Sequence, residues 1–291
     1  MKGIVLAGGS GTRLSPTTGS ISKQLLPVFN KPMIYYPLSV LMLADIRDIL
    51  IITTPTDEVL FKRLLGNGEQ FGVKLSYMPQ QEPNGLAEAF ILGESFISQD
   101  DVCLVLGDNI FWGRDFTKSL QRAKKNVDEG FATLFGYQVS NPSQFGILDV
   151  DGSNKIISIE EKPTKPKSNI AATGLYFYNR SVVEEAKMIS PSTRGELEIT
   201  DLNNRYLKKN QLMVELLGRG FSWIDTGTPD ALLEASNFVR SVEKHQGYMI
   251  ACLEEISLRK GWVAPHKMNE YLKYKPKNPY YQYISEIIQN N

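Results

Sequence analysis

Short apolar runs alternate with helix-period stretches through the first hundred residues. Residues 3–7, 49–53, 73–78 and 102–106 read as strands, and 37–44, 56–65 and 85–96 between them read as helices. Alternation of this kind predicts an α/β fold, a Rossmann-like and mostly parallel sheet flanked by helices. Ligands collect at the carboxyl ends of strands in such sheets, where the loop after residue 7 and Gly107-Asp108 after residue 106 both fall. From residue 130 the pattern turns richer in strands, at 131–139, 147–150, 156–159 and 171–178, followed by a helical stretch at 196–208. These suggest further sheet around a second half of the ligand site.

Thr228-Pro229-Asp230 opens another helix with threonine as N-cap, proline in the first turn and early negative charge; Ala231, Ala235, Phe238 and Val242 share one face as core packing. The expected organisation is a main domain over 1–244, with halves of about 1–130 and 131–244, and a helical C-terminal extension over 245–291. Gly247, Gly261, Pro265, Pro276 and Pro279 punctuate that extension. Its tyrosines at 271, 274, 280, 281 and 283 are expected to pack on the main domain or on a neighbouring subunit.

Thirty-two basic residues balance thirty-two acidic ones, so no global field gathers nucleic acid or an anionic membrane, and any anion must be recognised locally. Cys103 and Cys252 are too few for a disulfide framework or a cysteine-rich zinc site, which fits a reducing cytoplasm. The four apolar residues 4–7 make no secretory core, and no apolar run approaches the ~20 residues of a membrane span. With only His245 and His266, imidazole base chemistry and multi-histidine metal sites are set aside; magnesium held by carboxylates remains available.

The candidate chemistry begins directly after the first strand. Gly8-Gly9-Ser10-Gly11-Thr12-Arg13, with Lys23 following, lets backbone N–H groups approach an anion and supplies fixed positive charge for a polyphosphate. A Walker loop is excluded because Thr12-Arg13 replaces its closing lysine and hydroxyl residue. A dinucleotide loop is excluded because Leu14 stands where the third glycine belongs and no acidic residue follows before Asp45. A plain glycine turn is the competing reading, against which the downstream basic residues weigh.

The stretches 6–14, Ser22-Lys23-Gln24-Leu25-Leu26-Pro27, 31–37, Leu106-Gly107-Asp108-Asn109, Glu160-Glu161-Lys162-Pro163, 194–201 and 223–228 together resemble the sugar nucleotidyltransferases, with the likeness covering nearly the whole chain. Within that family they look most like the branch acting on glucose 1-phosphate and dTTP. The resemblance implies attack of the sugar phosphate on the α-phosphorus of dTTP, giving dTDP-glucose and diphosphate. That nucleophile is already anionic near neutral pH, so no general base is needed, in keeping with the scarcity of histidine. What remains is to overcome repulsion between two anions and hold them in line.

By resemblance, Arg13 and Lys23 meet the triphosphate, Lys162 and Arg194 the sugar phosphate, and Asp108 and Asp225 converge on Mg²⁺. Leu6, Gly8, Gly9, Ser10, Gly11, Thr12, Gln24, Gln80 and Gly85 are implied around the nucleotide, and Gly146, Glu161, Thr173 and Trp223 around the sugar. Phe145 and Thr173 depart from the tyrosine and valine that many relatives carry. Taken alone, Lys162 between Glu161 and Pro163 equally fits an exposed turn, Asp108 and Asp225 fit turn or capping groups, and Gln80 and Gly85 fit an ordinary loop. The family further implies a cytoplasmic homotetramer with a regulatory nucleotide site to which Arg219 and Arg259 contribute. Rival readings are the same chemistry with UTP or another sugar phosphate, a noncatalytic sugar-nucleotide sensor, and a glycosyltransferase, whose usual second aspartate Gly107-Asp108-Asn109 lacks.

Overall fold

The computed structural model describes residues 1–9 and 11–290. Seven strands come from the first half of the chain: β1 (Lys2–Ala7), β2 (Pro27–Val28), β3 (Lys31–Pro32), β4 (Asp48–Thr53), β5 (Lys74–Pro79), β6 (Val102–Leu106) and β7 (Asn109–Gly113). Six follow: β8 (Ala132–Gln138), β9 (Gly146–Val150), β10 (Ile156–Glu161), β11 (Ile170–Tyr178), β12 (Leu212–Leu217) and β13 (Phe221–Asp225).

β1 lies between β4 and β6, with β5 outside β4, and all of these pairings are parallel. Parallel neighbours require crossovers, which the helices Tyr35–Leu43, Glu58–Leu65 and the pair Glu88–Leu92 and Glu94–Ile97 supply. Both sheet faces are covered: Val5, Ile49, Ile51 and Val105 enter one apolar cluster, while Ile4, Leu50, Ile52 and Leu104 enter the other. The helix expected over 85–96 is broken at Gly93, where a Cβ would lie 2.9 Å from the Ala89 carbonyl oxygen and 3.1 Å from Ile4 of the sheet.

The sheet continues past residue 130 without interruption. β11 runs antiparallel to β6 through Leu175–Tyr178, to β9 through Ile170 and Ala171, and to β8 along its other edge. The α/β fold with a parallel sheet in its first half is therefore as the pattern predicts, while the second half adds antiparallel pairs to the same nine-stranded sheet.

A separate two-stranded ribbon, β7 with β13, escaped the sequence pattern altogether. Its register sets Asn109 opposite Asp225 and Phe111 opposite Trp223. Each strand has only five residues, and 107 residues of chain lie between the end of one and the start of the other, so nothing local announces the pairing.

Thr228 caps the helix Pro229–Gln246 by accepting from the Ala231 N–H, and Gly247 ends it in the left-handed conformation. Beyond it, the helices Leu253–Arg259, Pro265–Leu272 and Pro279–Asn290 carry Leu253, Met268, Tyr280 and Ile284 into the core cluster shared with the helix Tyr35–Leu43. Tyr274 is exposed instead. Among the described residues no helix is long and apolar enough to cross a membrane.

One buried ion pair ties the β2–β3 hairpin to the helix Pro229–Gln246. Lys31, 3% exposed, places its ammonium 2.8 Å from Glu243 Oε1 and 2.6 Å from Asn30 Oδ1, over the Tyr36 ring. Glu243 also accepts from Asn30 Nδ2 and from the Ile250 N–H. Burial pulls the Lys31 ammonium below its ordinary pKa, and the Glu243 carboxylate opposes that fall. Glu243→Ala should leave the lysine charge buried without its counter-charge and cost about 3–5 kcal/mol in urea unfolding; a loss within 1 kcal/mol would show the pair to be dispensable.

Candidate active site

A cleft runs along the carboxyl ends of β1 and β6 and divides into two cavities. The first cavity, about 190 Å³, is lined by Leu6, Gly8, Gly9, Lys23, Gln24, Gln80 and Gly85. The second, about 290 Å³, is lined by Arg13, Gly146, Glu161, Lys162, Arg194, Trp223 and Asp225. Asp108, Leu86, Leu106 and Glu196 line both, so the two open into each other at Asp108. Larger cavities of about 580 and 780 Å³ lie elsewhere, beside Trp262 and beside Arg219. Neither brings together a facing pair of aspartates and basic residues from distant segments, and that chemistry, rather than size, singles out the cleft.

The glycine loop forms the wall after β1. Gly11 adopts φ 62° and leads into a single 3-10 turn, Thr12–Leu14, which carries Arg13. Gly8 abuts Gln80, whose Oε1 would lie 2.9 Å from a Cβ placed there. Gln80 is buried and gives its amide N–H to Glu88 at 2.6 Å, while the buried Gln24 amide oxygen accepts from the Ser22 hydroxyl at 2.6 Å. Gly85 has φ 105° and is wedged against the Leu197 backbone, a position closed to any side chain. Ser10, expected in the nucleotide loop, lies outside the described residues.

The ribbon brings the two aspartates together. Asp108 immediately precedes β7 and Asp225 ends β13; the Asp108 carbonyl accepts from both the N–H and the hydroxyl of the fully buried Thr226. Lys23 pairs with Asp108 Oδ2, and Asn109 Nδ2 donates to Oδ1 at 3.0 Å. Asp225 Oδ1 is buried with no hydrogen-bond partner. Its carboxyl is pushed up to about 6, first by burial and then by the Asp108 charge, against the pull of Lys23, Arg13 and the Gly227 N–H.

An orphaned oxygen beside a second carboxylate, both hard donors, fits a divalent cation. Magnesium commonly takes one or two protein carboxylates and completes its shell with phosphate and water.

On the opposite wall Glu161 ends β10 in register with Gly146. Thr200 donates to Glu161 Oε2 at 2.6 Å, and Arg194 Nη2 lies 3.6 Å from Oε1. Arg194 is gripped more closely by Glu198 at 2.8 Å, which raises the guanidinium pKa further. Lys162 adopts φ 42°, unusual for a residue with a side chain, and its N–H bonds the Phe145 carbonyl. Its ammonium is half exposed, 3.9 Å from Glu161 Oε1.

Asn109, 1% exposed, accepts from the Trp223 indole at 2.6 Å and from the Gly174 N–H at 3.0 Å. It links the aspartate ribbon to β11. Phe145 packs edge-on against Trp223 with ring centroids 5.2 Å apart.

Arg219 and Arg259, expected at a separate regulatory site, lie apart from the cleft, and Thr173, expected around the sugar, turns its side chain away from it. Ala172 and Gly174 line the cleft, while strand alternation turns the Thr173 side chain between them to the other face, where it is fully buried and its hydroxyl has no partner. Arg219 sits in the turn between β12 and β13 on a separate cavity with Tyr137 and Asn169. Arg259 pairs with Glu255 at 2.7 Å on the C-terminal helices. Conversely, Asn109, Thr200 and Glu196 lie inside stretches that carried the resemblance, yet only the structure gives them contacts. Thr226 lies likewise inside the 223–228 stretch, while Glu88 offered no sequence signal of its own.

Residues 2–242 match the family model described as nucleotidyl transferase. A glucose-1-phosphate thymidylyltransferase from Neisseria meningitidis is 56% identical over 289 residues, covering 99% of this chain and 100% of that one. A protein of the same name from Mycobacterium tuberculosis is 49% identical over 291 residues, covering 100% of both. A Bacillus anthracis crystal structure in complex with sucrose superposes with a TM-score of 0.76 at 40% identity, covering 82% of this chain and 95% of that one.

The raised Asp225 carboxyl sets a pH dependence of stability. Below pH 4 both folded and unfolded chains hold this proton and the group contributes nothing. Between pH 4 and about 6 the folded chain holds it more tightly, so stability falls as pH rises, and above 6 the whole penalty is present. In metal-free buffer at pH 7.5, Asp225→Asn should therefore be more stable than the parent by roughly 1–3 kcal/mol. The gain should vanish near pH 4 in parallel thermal melts; an equal gain at both values would place its origin elsewhere.

Proposed function

The chain belongs to the nucleotidyl transferase family, and from that premise we propose that it condenses dTTP with α-D-glucose 1-phosphate to give dTDP-α-D-glucose and diphosphate. The observation that carries this reading is the meeting of the two cavities at Asp108, with basic residues on both sides; the 190 Å³ one is read as the base side and the 290 Å³ one as the sugar side. The names of relatives about half identical over the full chain support the choice of substrates.

In this reading a sugar-phosphate oxygen forms a bond to the α-phosphorus of dTTP as the bond to the diphosphate oxygen breaks. Leu6, Gln24, Gln80 and the Gly85 backbone hold the base and deoxyribose, and the backbone of Gly8, Gly9, Gly11 and Thr12 faces the triphosphate. Arg13 and Lys23 offset the charge of the departing diphosphate. Lys162 and Arg194 offset that of the incoming sugar phosphate, and Glu161 with the Gly146 backbone takes the hexose hydroxyls.

Lys162 is suited to a charge that develops during reaction, because its nearest carboxylate contact is long and its ammonium is free to close on phosphate. Arg194 is already held by Glu198, which favours a fixed positioning role. Asp108 and Asp225 would hold Mg²⁺, which as a Lewis acid neutralises phosphate oxygens. No residue is asked to remove a proton from the nucleophile.

The test is diphosphate release measured over dTTP and UTP, each with glucose 1-phosphate and other sugar phosphates, with and without Mg²⁺. Turnover should be best for dTTP with glucose 1-phosphate and abolished by a chelator; nucleotide binding without any diphosphate release would instead indicate a sensor. Lys162→Ala should lower kcat on the order of 10²-fold with little change in melting temperature. An unchanged kcat in a folded variant would remove that residue from the chemistry.

A further inference from the structure

Glu88 opens the short helix Glu88–Leu92 behind the base-side cavity and does not line it. One carboxylate oxygen accepts from Gln80 Nε2 at 2.6 Å, the other from Asn84 Nδ2 at 2.8 Å. We propose that Glu88 is a positioning residue for base selection: it locks the Gln80 amide with its oxygen toward the base, so that the cavity favours a pyrimidine bearing a ring N–H, as in thymine or uracil, over cytosine. This rests on the reading above in that Gln80 meets the base.

A carboxylate can only accept hydrogen bonds, so the end of the Gln80 amide beside it is the NH₂ and the opposite end is the carbonyl oxygen. That oxygen lies against Gly8 at the cavity wall. Inverting the buried amide would set two acceptors against each other at hydrogen-bond distance, which the site strongly disfavours. The polarity Gln80 presents is thus imposed by a residue outside the cavity. Thymine and uracil offer an N–H at ring position 3, whereas cytosine offers a lone pair there and would meet acceptor with acceptor.

The same carboxylate steadies the adjoining backbone. Asn84 immediately precedes Gly85, and its carbonyl accepts from the Leu197 N–H at 2.7 Å. Glu88 therefore holds both polar edges of the base site, one side chain and one turn.

Equilibrium affinities for dTTP and dCTP, measured calorimetrically without sugar phosphate, test the proposal. In Glu88→Gln the amide of Gln80 regains both orientations, and the preference for dTTP over dCTP should fall about tenfold. In a Gln80→Ala background the same substitution should leave the ratio unchanged. Glu88→Ala reads the same ratio should the glutamine variant not fold. An equal loss for both nucleotides, or an intact ratio in either variant, would overturn the role of Glu88. Wild-type protein that binds dCTP as tightly as dTTP would overturn the base assignment itself, so the two failures are separable.

Discussion

Everything in the cleft depends on holding two carboxylates side by side against their mutual repulsion. Backbone pairing across the β7–β13 ribbon, with the Asp108 carbonyl accepting twice from Thr226, does this from outside the charged groups themselves. The tension is visible in Asp225, whose buried oxygen has no partner and whose proton is held more tightly than a carboxyl normally holds one. A site arranged purely for stability would satisfy that oxygen. Leaving it unsatisfied is the kind of local cost that binding a cation would relieve.

Positive charge is distributed with the same economy. The chain is neutral overall, yet Arg13, Lys23, Lys162 and Arg194 converge from four separate segments, each beside at least one carboxylate of the cleft. Lys23 rests on Asp108 and Arg194 on Glu198, so neither charge stands naked before substrate arrives. Lys162 has a looser ion pair than Lys23 or Arg194 and the least ordinary backbone of the four. Where the side chain is least committed, the chemistry has most freedom to recruit it.

The sequence made legible what depends on near neighbours. The run before Gly8, the crossover helices between β1, β4, β5 and β6, and the glycine loop with Arg13 are all local patterns of period and residue type. The ribbon was not legible, because two five-residue strands gain their identity only from each other. Thr173 illustrates a different limit: the motif marks the strand, but which of its side chains face the cleft follows from strand alternation, which sets Ala172 and Gly174 on the cleft and the Thr173 side chain in the interior. Asn109 lay in plain sight within a matching stretch. Its three side-chain contacts, to Asp108, Gly174 and Trp223, join parts of the chain that no spacing rule relates.

The two cavities of the cleft are joined through ordinary backbone contacts as well as through Asp108. Gly85 leaves room for Leu197 to lie against the loop, Asn84 and Ala87 bond its N–H and carbonyl, and Leu197 belongs to the same short stretch as Arg194, Glu198 and Thr200. The loop around Gly85 thus packs directly on the segment that carries Arg194 and braces Glu161. Glu88 holds Asn84 at one end of this bridge and Thr200 meets Glu161 at the other. Contacts of this kind tie the two walls of the cleft together, which would suit a reaction whose difficulty lies in alignment and charge rather than in proton transfer.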